Sequence, residues 1–256
     1  MVETDIQMTR DGEVVIFHDR NLARLCEGNW NAKTSALQKL NYNELPKYRS
    51  DQIVLHFGEA KRRVLGVDPK KDDLRIPKFE ELLQMLNERD KKHVWLHVEL
   101  KVPSMPIVAK TKELLAKYNM ENRVIWGCVN EEWNTVLYNA NAKLPRNCSK
   151  TSVYLIFLGY FFGFIPFLRI KEDSFEIPFY NTNFDQHKKI FEDSWVTRIE
   201  LFLLRVFWIL AKPLLWHLER RGIPCFVFPV NNKVDYLRAR GKGVTAVYTD
   251  YNNEIL

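Results

Sequence analysis

No C-x-x-C pair occurs in this 256-residue sequence; Cys26, Cys128, Cys148 and Cys225 lie far apart. That spacing excludes a small disulfide framework and reads as reduced thiols in a cytosol-facing protein. No glycine-rich turn follows the first strand-like stretch, which argues against a doubly wound dinucleotide-binding sheet. No uncharged run reaches the roughly 20 residues that a spanning helix needs. The first residues lack the basic region and apolar core of a secretory leader, so none is expected. Linker-like composition is missing as well, and a single domain over residues 1–256 is expected. A field of one sign is also absent. The formal charge is +6, but Lys61-Arg62-Arg63, Lys91-Lys92 and Arg220-Arg221 are scattered among acids. They fit solvated helix faces or a phospholipid surface and rank nucleic acid last among partners. With 46% hydrophobic and 27% charged residues, the chain can bury an ordinary globular core.

What is present begins at residue 2. Along Val2-Glu3-Thr4-Asp5-Ile6-Gln7-Met8 a period of two puts Glu3, Asp5 and Gln7 on one strand face and the apolar positions on the other. Asp11-Gly12 marks a turn, and the run Val14-Val15-Ile16-Phe17 then delivers His18 and Asp19. A second stretch, Val94 to Lys101, has apolar residues at every even position and His97, Glu99 and Lys101 on the odd ones. A strand-like pattern with functional side chains this early points to a chain whose preceding segment is missing.

Between and beyond these stretches, helical periodicity is expected over Arg75–Leu86 with Pro77 near its start, about Met105–Tyr118, about Glu131–Asn141 and around Lys233–Arg240. Short apolar runs at Val124–Val129, Pro224–Val230 and Val244–Thr249 read as buried parallel strands. The stretch from residue 20 to about 43 is polar and shows little periodicity. Alternating strands and helices, with polar groups at strand ends, suit an α/β barrel whose strand termini carry the site.

The joint spacing E-x-D, T-x-D-G, V-V-x-x-H-D-x-x-L-x-R and E-x-K resembles the glycerophosphodiester phosphodiesterase family, in particular its membrane-associated lysophospholipase D branch. It is carried by Glu3-Thr4-Asp5, Thr9 to Gly12, Val14 to Arg24, Glu99-Leu100-Lys101 and the closing Val247-Tyr248-Thr249-Asp250-Tyr251. The resemblance implies a TIM-type (β/α)8 barrel of the phospholipase C-like phosphodiesterase kind. It also implies one divalent cation, Mg²⁺ or Ca²⁺, held by Glu3, Asp5 and Glu99. Hard oxygen ligands from adjacent strands suit such ions. Lys101 would pair with a phosphate oxygen, and His18 would serve as general acid or base. Phe228 and Asn231 fall where the family places substrate-contacting residues. His97 is expected as a core histidine one layer below Glu99. The family's H-R-G and E-N-T motifs are not found, so the barrel is expected to be incomplete, without its first strand and helix.

The expected activity is metal-dependent hydrolysis of glycerophosphodiesters or lysophospholipids, releasing the headgroup alcohol and a phosphomonoester. A non-catalytic membrane-peripheral remnant is the other reading. Two apolar stretches, about 153–168 and 201–216, point to a membrane surface, the second as an interfacial helix carrying Arg205 and Lys212 on one face. Membrane association at the cytoplasmic face or the endoplasmic reticulum follows as an expectation, with no protein partner implied.

Overall fold

The computed structural model describes residues 1–31, 33–50, 53–56, 59–63, 68, 73–180 and 195–250, leaving aside the side chains of 53–56, 59–63, 196 and 197. The chain divides into two compact units, Met1–Gln52 with Arg63–Ser149, and Ile53–Arg62 with Lys150–Leu256.

In the first unit, β1 (Val2–Met8) and β2 (Val14–Ile16) form an antiparallel hairpin with Ile6 opposite Ile16. Gly12 makes the turn possible: its φ of 87° is a backbone region that side chains with a Cβ rarely occupy. The alternation in β1 has its expected result. Ile6 is fully buried with Val2 and Met8 packed against the same core, while Glu3 stays exposed on the other face. The helix α1 (Phe79–Leu86) buries Phe79, Leu83 and Leu86, an i, i+4, i+7 stripe that covers this sheet. β3 (Ile53–His56) and β4 (Glu59–Arg63), which fall almost wholly in the second unit, pair with each other, and the parallel part of the first unit's sheet is built by β5 (Leu96–Leu100) and β6 (Val124–Gly127). The order is β2-β1-β5-β6, with β1, β5 and β6 parallel. Two helices, α2 (Met105–Lys117) and α3 (Glu131–Ala140), follow β5 and β6, as the periodicity predicts.

The unperiodic stretch after His18 is not a loose loop. Leu22, Cys26, Leu37 and Ile76 are buried with Val15 and Phe17 in a small core of their own. Tyr48 seals it, stacking on Phe17 at 5.9 Å and donating its hydroxyl to the Ile16 carbonyl. Burial pushes the Cys26 thiol up to about 12, so it stays a neutral core residue.

In the second unit, α4 (Lys150–Phe161) leads to β7 (Phe175–Pro178), a four-residue strand that periodicity does not announce. The helix α5 (Trp195–Arg220) runs without a break through Pro213. It is followed by β8 (Cys225–Phe228), α6 (Lys233–Gly241) and the two-residue β9 (Ala246–Val247), and β7, β8 and β9 pair in parallel. Phe207, Trp208, Ala211, Leu214, Leu215 and Leu218 form the buried stripe of α5. Phe207 stacks on Phe157 of α4 at 4.3 Å.

Candidate active site

The register of the parallel ladder sets Asp5 directly opposite Glu99 and Glu3 opposite His97. In a parallel pair, opposed residues point to the same face, so the two-residue step along β1 adds Glu3 to the same side. The result is a cluster in which Glu3, Asp5 and Glu99 each offer a carboxylate oxygen within 4.8 Å of the others. Such a set fits a hard divalent cation. Asp5 supports that fit: its Oδ1 is buried and accepts no well-formed hydrogen bond, although the Lys101 ammonium lies 3.1 Å away. Lys101 also reaches Glu99 Oε2 at 2.9 Å. Burial opposes the charge of Lys101, but Glu99 and Asp5 outweigh it and raise the ammonium above its ordinary value. The cluster therefore holds a permanent cation donor beside three acids, ready to pair with a phosphate oxygen.

His18 comes from the end of the β2 hairpin. Phe17 N–H donates to the Asp5 carbonyl at 2.9 Å, which ties this segment to the strand that carries Glu3 and Asp5. His18 Nδ1 lies 2.7 Å from Asp19 Oδ1, and Arg24 grips the same carboxylate with two hydrogen bonds of 2.7 Å. Burial alone would raise the Asp19 carboxyl; hydrogen bonds from His18 and Arg24 overcome it and bring it down to about 2. An ionised carboxylate only accepts, so Nδ1 carries a proton and Nε2 is left to exchange protons with a substrate. The Gln7 amide braces the segment, donating to the Phe17 carbonyl at 2.9 Å and to the Asp19 carbonyl at 2.7 Å.

A cleft of about 400 Å³ within the first unit has Glu3, Asp5 and His18 all on its lining. Two of the three clustered carboxylates and the imidazole thus border one space. A sequence model of the glycerophosphoryl diester phosphodiesterase family matches residues 1–254. The chain belongs to that family.

Among relatives of this glycerophosphoryl diester phosphodiesterase is human lysophospholipase D GDPD1, 31% identical over 257 residues, spanning 100% of this chain and 75% of its own. Human lysophospholipase D GDPD3 is 26% identical over 98% of this chain and 73% of its own. Among solved structures, a phosphodiesterase from Oleispira antarctica in complex with its product sn-glycerol-3-phosphate aligns with a TM-score of 0.54 at 17% identity, covering 99% of this chain and 82% of that one. The phosphodiesterase domain of a Mycobacterium tuberculosis protein aligns at 0.62 with 14% identity, over 97% and 84%. These likenesses establish the expected fold class, the α/β TIM-type barrel, and membership places the chain among phosphoric diester hydrolases.

Of the residues singled out from the sequence, Glu3, Asp5, Glu99 and Lys101 stand together, and His18 shares the cleft with the first two. His97 is 2% exposed, and burial followed by the charge of Lys101 lowers its pKa to about 4, so it is a neutral core residue. Phe228 and Asn231 belong to the second unit. The Asn231 side chain is engaged there, donating to Asp250 Oδ2 at 3.1 Å and accepting from the Asp250 N–H at 3.0 Å. That bracing is a structural use of its amide. Asp19, Arg24, Tyr48 and Arg49 are the residues that sequence reasoning left without a role. The spacing H-D-x-x-L-x-R held the signal for two of them: Leu22 is fully buried, which turns Arg24 back onto Asp19.

Proposed function

We propose that this phosphodiesterase hydrolyses lysophospholipids or glycerophosphodiesters by a lysophospholipase D reaction, with one divalent cation, Mg²⁺ or Ca²⁺, at Glu3, Asp5 and Glu99. The observation that carries this reading is that Glu3 and Asp5 of the acid cluster line one cleft with His18, whose ring is held by Asp19 and, through it, Arg24. When bound, the cation would neutralise phosphodiester charge and polarise the P–O bond. Lys101 would pair with a second phosphate oxygen as charge builds up. Water would add to phosphorus as the P–O bond to the headgroup breaks, His18 would hand a proton to the departing alkoxide, Asp19 would stabilise the imidazolium from which that proton leaves, and the proton released by the water would restore the imidazolium by way of solvent. The headgroup leaves as an alcohol and the phosphate stays on the glycerol.

The test is release of choline from lysophosphatidylcholine and glycerophosphocholine with Mg²⁺ or Ca²⁺, against a chelated control. Metal-dependent release is expected. Soluble, folded protein that releases none under either ion would support the non-catalytic reading instead.

The lipid preference has its own support in the second unit. Tyr160 donates its hydroxyl to the Leu210 carbonyl at 2.7 Å, holding α4 against α5. Large apolar side chains just past the end of α4 and on α5 nevertheless face outward: Phe162 is 75% exposed, Phe167 88%, Phe202 64% and Ile209 66%. Arg205 and Lys212 are exposed among them. Exposed aromatics with basic residues among them suit a bilayer interface, and among the described residues no helix is long and apolar enough to cross a membrane. A membrane surface at the cytoplasmic face or the endoplasmic reticulum is the setting we assign. Co-sedimentation with vesicles containing anionic lipid is expected, and Phe162→Ser with Phe167→Ser should weaken it about tenfold or more by removing two exposed rings that would enter the lipid. Unchanged binding of the double variant would show that another surface makes the contact.

A further inference from the structure

The face of β1 that carries Glu3 and Asp5 continues to Gln7, which is fully buried. Gln7 Nε2 donates to the Phe17 carbonyl at 2.9 Å and to the Asp19 carbonyl at 2.7 Å, so the backbone is gripped immediately before and immediately after His18. Both amide protons are engaged in this way, and Oε1 can only accept. Its donor is the side-chain amide of Gln38. Turned the other way round, the Gln7 amide would press an oxygen against two carbonyl oxygens, so this set of partners admits one orientation.

Gln38 is presented by backbone that is itself fixed. It lies in a short 3₁₀ turn, Leu37–Lys39, whose Leu37 is fully buried in the small core with Phe17. The chain is tied on both sides of the turn: Leu22 N–H donates to the Ser35 carbonyl at 3.1 Å, and Arg10 N–H to the Leu40 carbonyl at 2.8 Å. The His18 side chain, by contrast, is 59% exposed, and Asp19, which steers its ring, belongs to the same segment. Asp19 and Arg24 therefore orient the imidazole within that segment, whereas Gln7 ties the segment to the strand of Glu3 and Asp5. We infer that Gln7 and Gln38 are positioning residues for His18, two linked amides that hold the histidine's backbone in place relative to the acid cluster. The inference rests on the phosphodiesterase reading for the part His18 plays in proton transfer. Misplacing a reacting group by about 1 Å costs as much as about 10²-fold in rate.

Replacing the fully buried Gln7 would unsettle the core as well as the histidine, so the test is made at the partly exposed Gln38, on the full chain with Mg²⁺. Gln38→Ala removes the donor to Gln7. Gln38→Glu keeps the shape but offers an acceptor where a donor is needed, and it draws the Gln7 N–H groups away from the two carbonyls. In both variants kcat for choline release from lysophosphatidylcholine is expected to fall about tenfold or more, with KM and Mg²⁺ affinity within about twofold of wild type. In a His18→Ala background, Gln38→Ala should cost less than about twofold further, because no imidazole is left to position. An amide with a merely structural role would lower thermal stability and leave kcat per folded molecule unchanged, or would add its full cost in the His18→Ala background; either result overturns the inference. Imidazole proton resonances, with that of His18 assigned by its loss in His18→Ala, give a readout that needs no turnover. The His18 signal should shift or broaden in both Gln38 variants while that of His97 stays. A wild type that releases no choline but shows this change would remove the phosphodiesterase reading and keep the positioning. Normal turnover by wild type, with an unmoved His18 signal and an undiminished kcat in the Gln38 variants, would do the reverse. No release and an unmoved signal overturn both.

Discussion

Glu99→Ala is expected to lower turnover by about 10³-fold or more, the scale of several kcal/mol of lost charge stabilisation at a phosphoryl centre. Glu99 is the point where two strands remote in sequence meet: it sits opposite Asp5 in the ladder and 2.9 Å from the Lys101 ammonium. Its removal takes one of three carboxylates from the cluster and leaves Lys101 with Asp5 alone at 3.1 Å. Both cation affinity and the position of the phosphate partner should therefore fail together. Glu99→Gln keeps the volume and removes the charge, so it should be nearly as damaging to activity while sparing the fold. Glu99 is itself only half-buried, so a large drop in thermal stability is not expected from either change. Cation affinity by calorimetry and turnover of lysophosphatidylcholine are the two readouts. Turnover with ordinary cation dependence in Glu99→Ala would dismiss the assignment of the three ligands.

The second large effect is at His18. His18→Ala should cost about 10²- to 10⁴-fold in turnover, the range for one positioned proton-transfer group, with cation affinity unchanged. Asp19→Asn should cost less, about 10- to 100-fold, since it disturbs the orientation of the imidazole and leaves the ring in place. It has a separate signature in acid. The Asp19 carboxyl sits near 2 in the folded protein against an ordinary 3.8, with its side chain 16% exposed. A depressed carboxyl stabilises the fold above the unfolded value and loses that contribution as pH falls through the folded one. Folding stability should thus contain a component of about 2 kcal/mol that is present above pH 4 and disappears toward pH 2. Asp19→Asn should flatten the curve in that window, and Arg24→Met should do the same by lifting the carboxyl toward its ordinary value. Denaturant unfolding at pH 5, 4, 3 and 2 measures this. An identical acid profile in both variants would mean that the His18–Asp19–Arg24 chain does not hold together in solution.

Parts of this arrangement were legible in the chain because neighbouring side chains fix one another's direction. Alternation put Glu3 and Asp5 on one face and Glu99 and Lys101 on one face, and the described strands bear this out. The helical stripe of Phe79, Leu83 and Leu86 was equally readable. Other features had no local signature. Leu22, Cys26 and Leu37 are buried without any periodicity, since the segment that carries them packs on β2 rather than extending as a helix or strand. Phe175–Pro178 is a strand by virtue of its pairing with Cys225–Phe228, and four residues are too few to show a period.

The sequence by itself determined the types of chemical group and the strand face each would occupy, because backbone geometry sets side-chain direction over a few residues. It also carried the family's motif spacing. Only the tertiary structure decided that Asp5 stands opposite Glu99, that Arg24 closes on Asp19, and that Leu25, Tyr48 and Leu74 wall the same cleft as His18. Those relations are distances between segments far apart in the chain. They depend on ladder register and on what the core buries, and no local pattern encodes them.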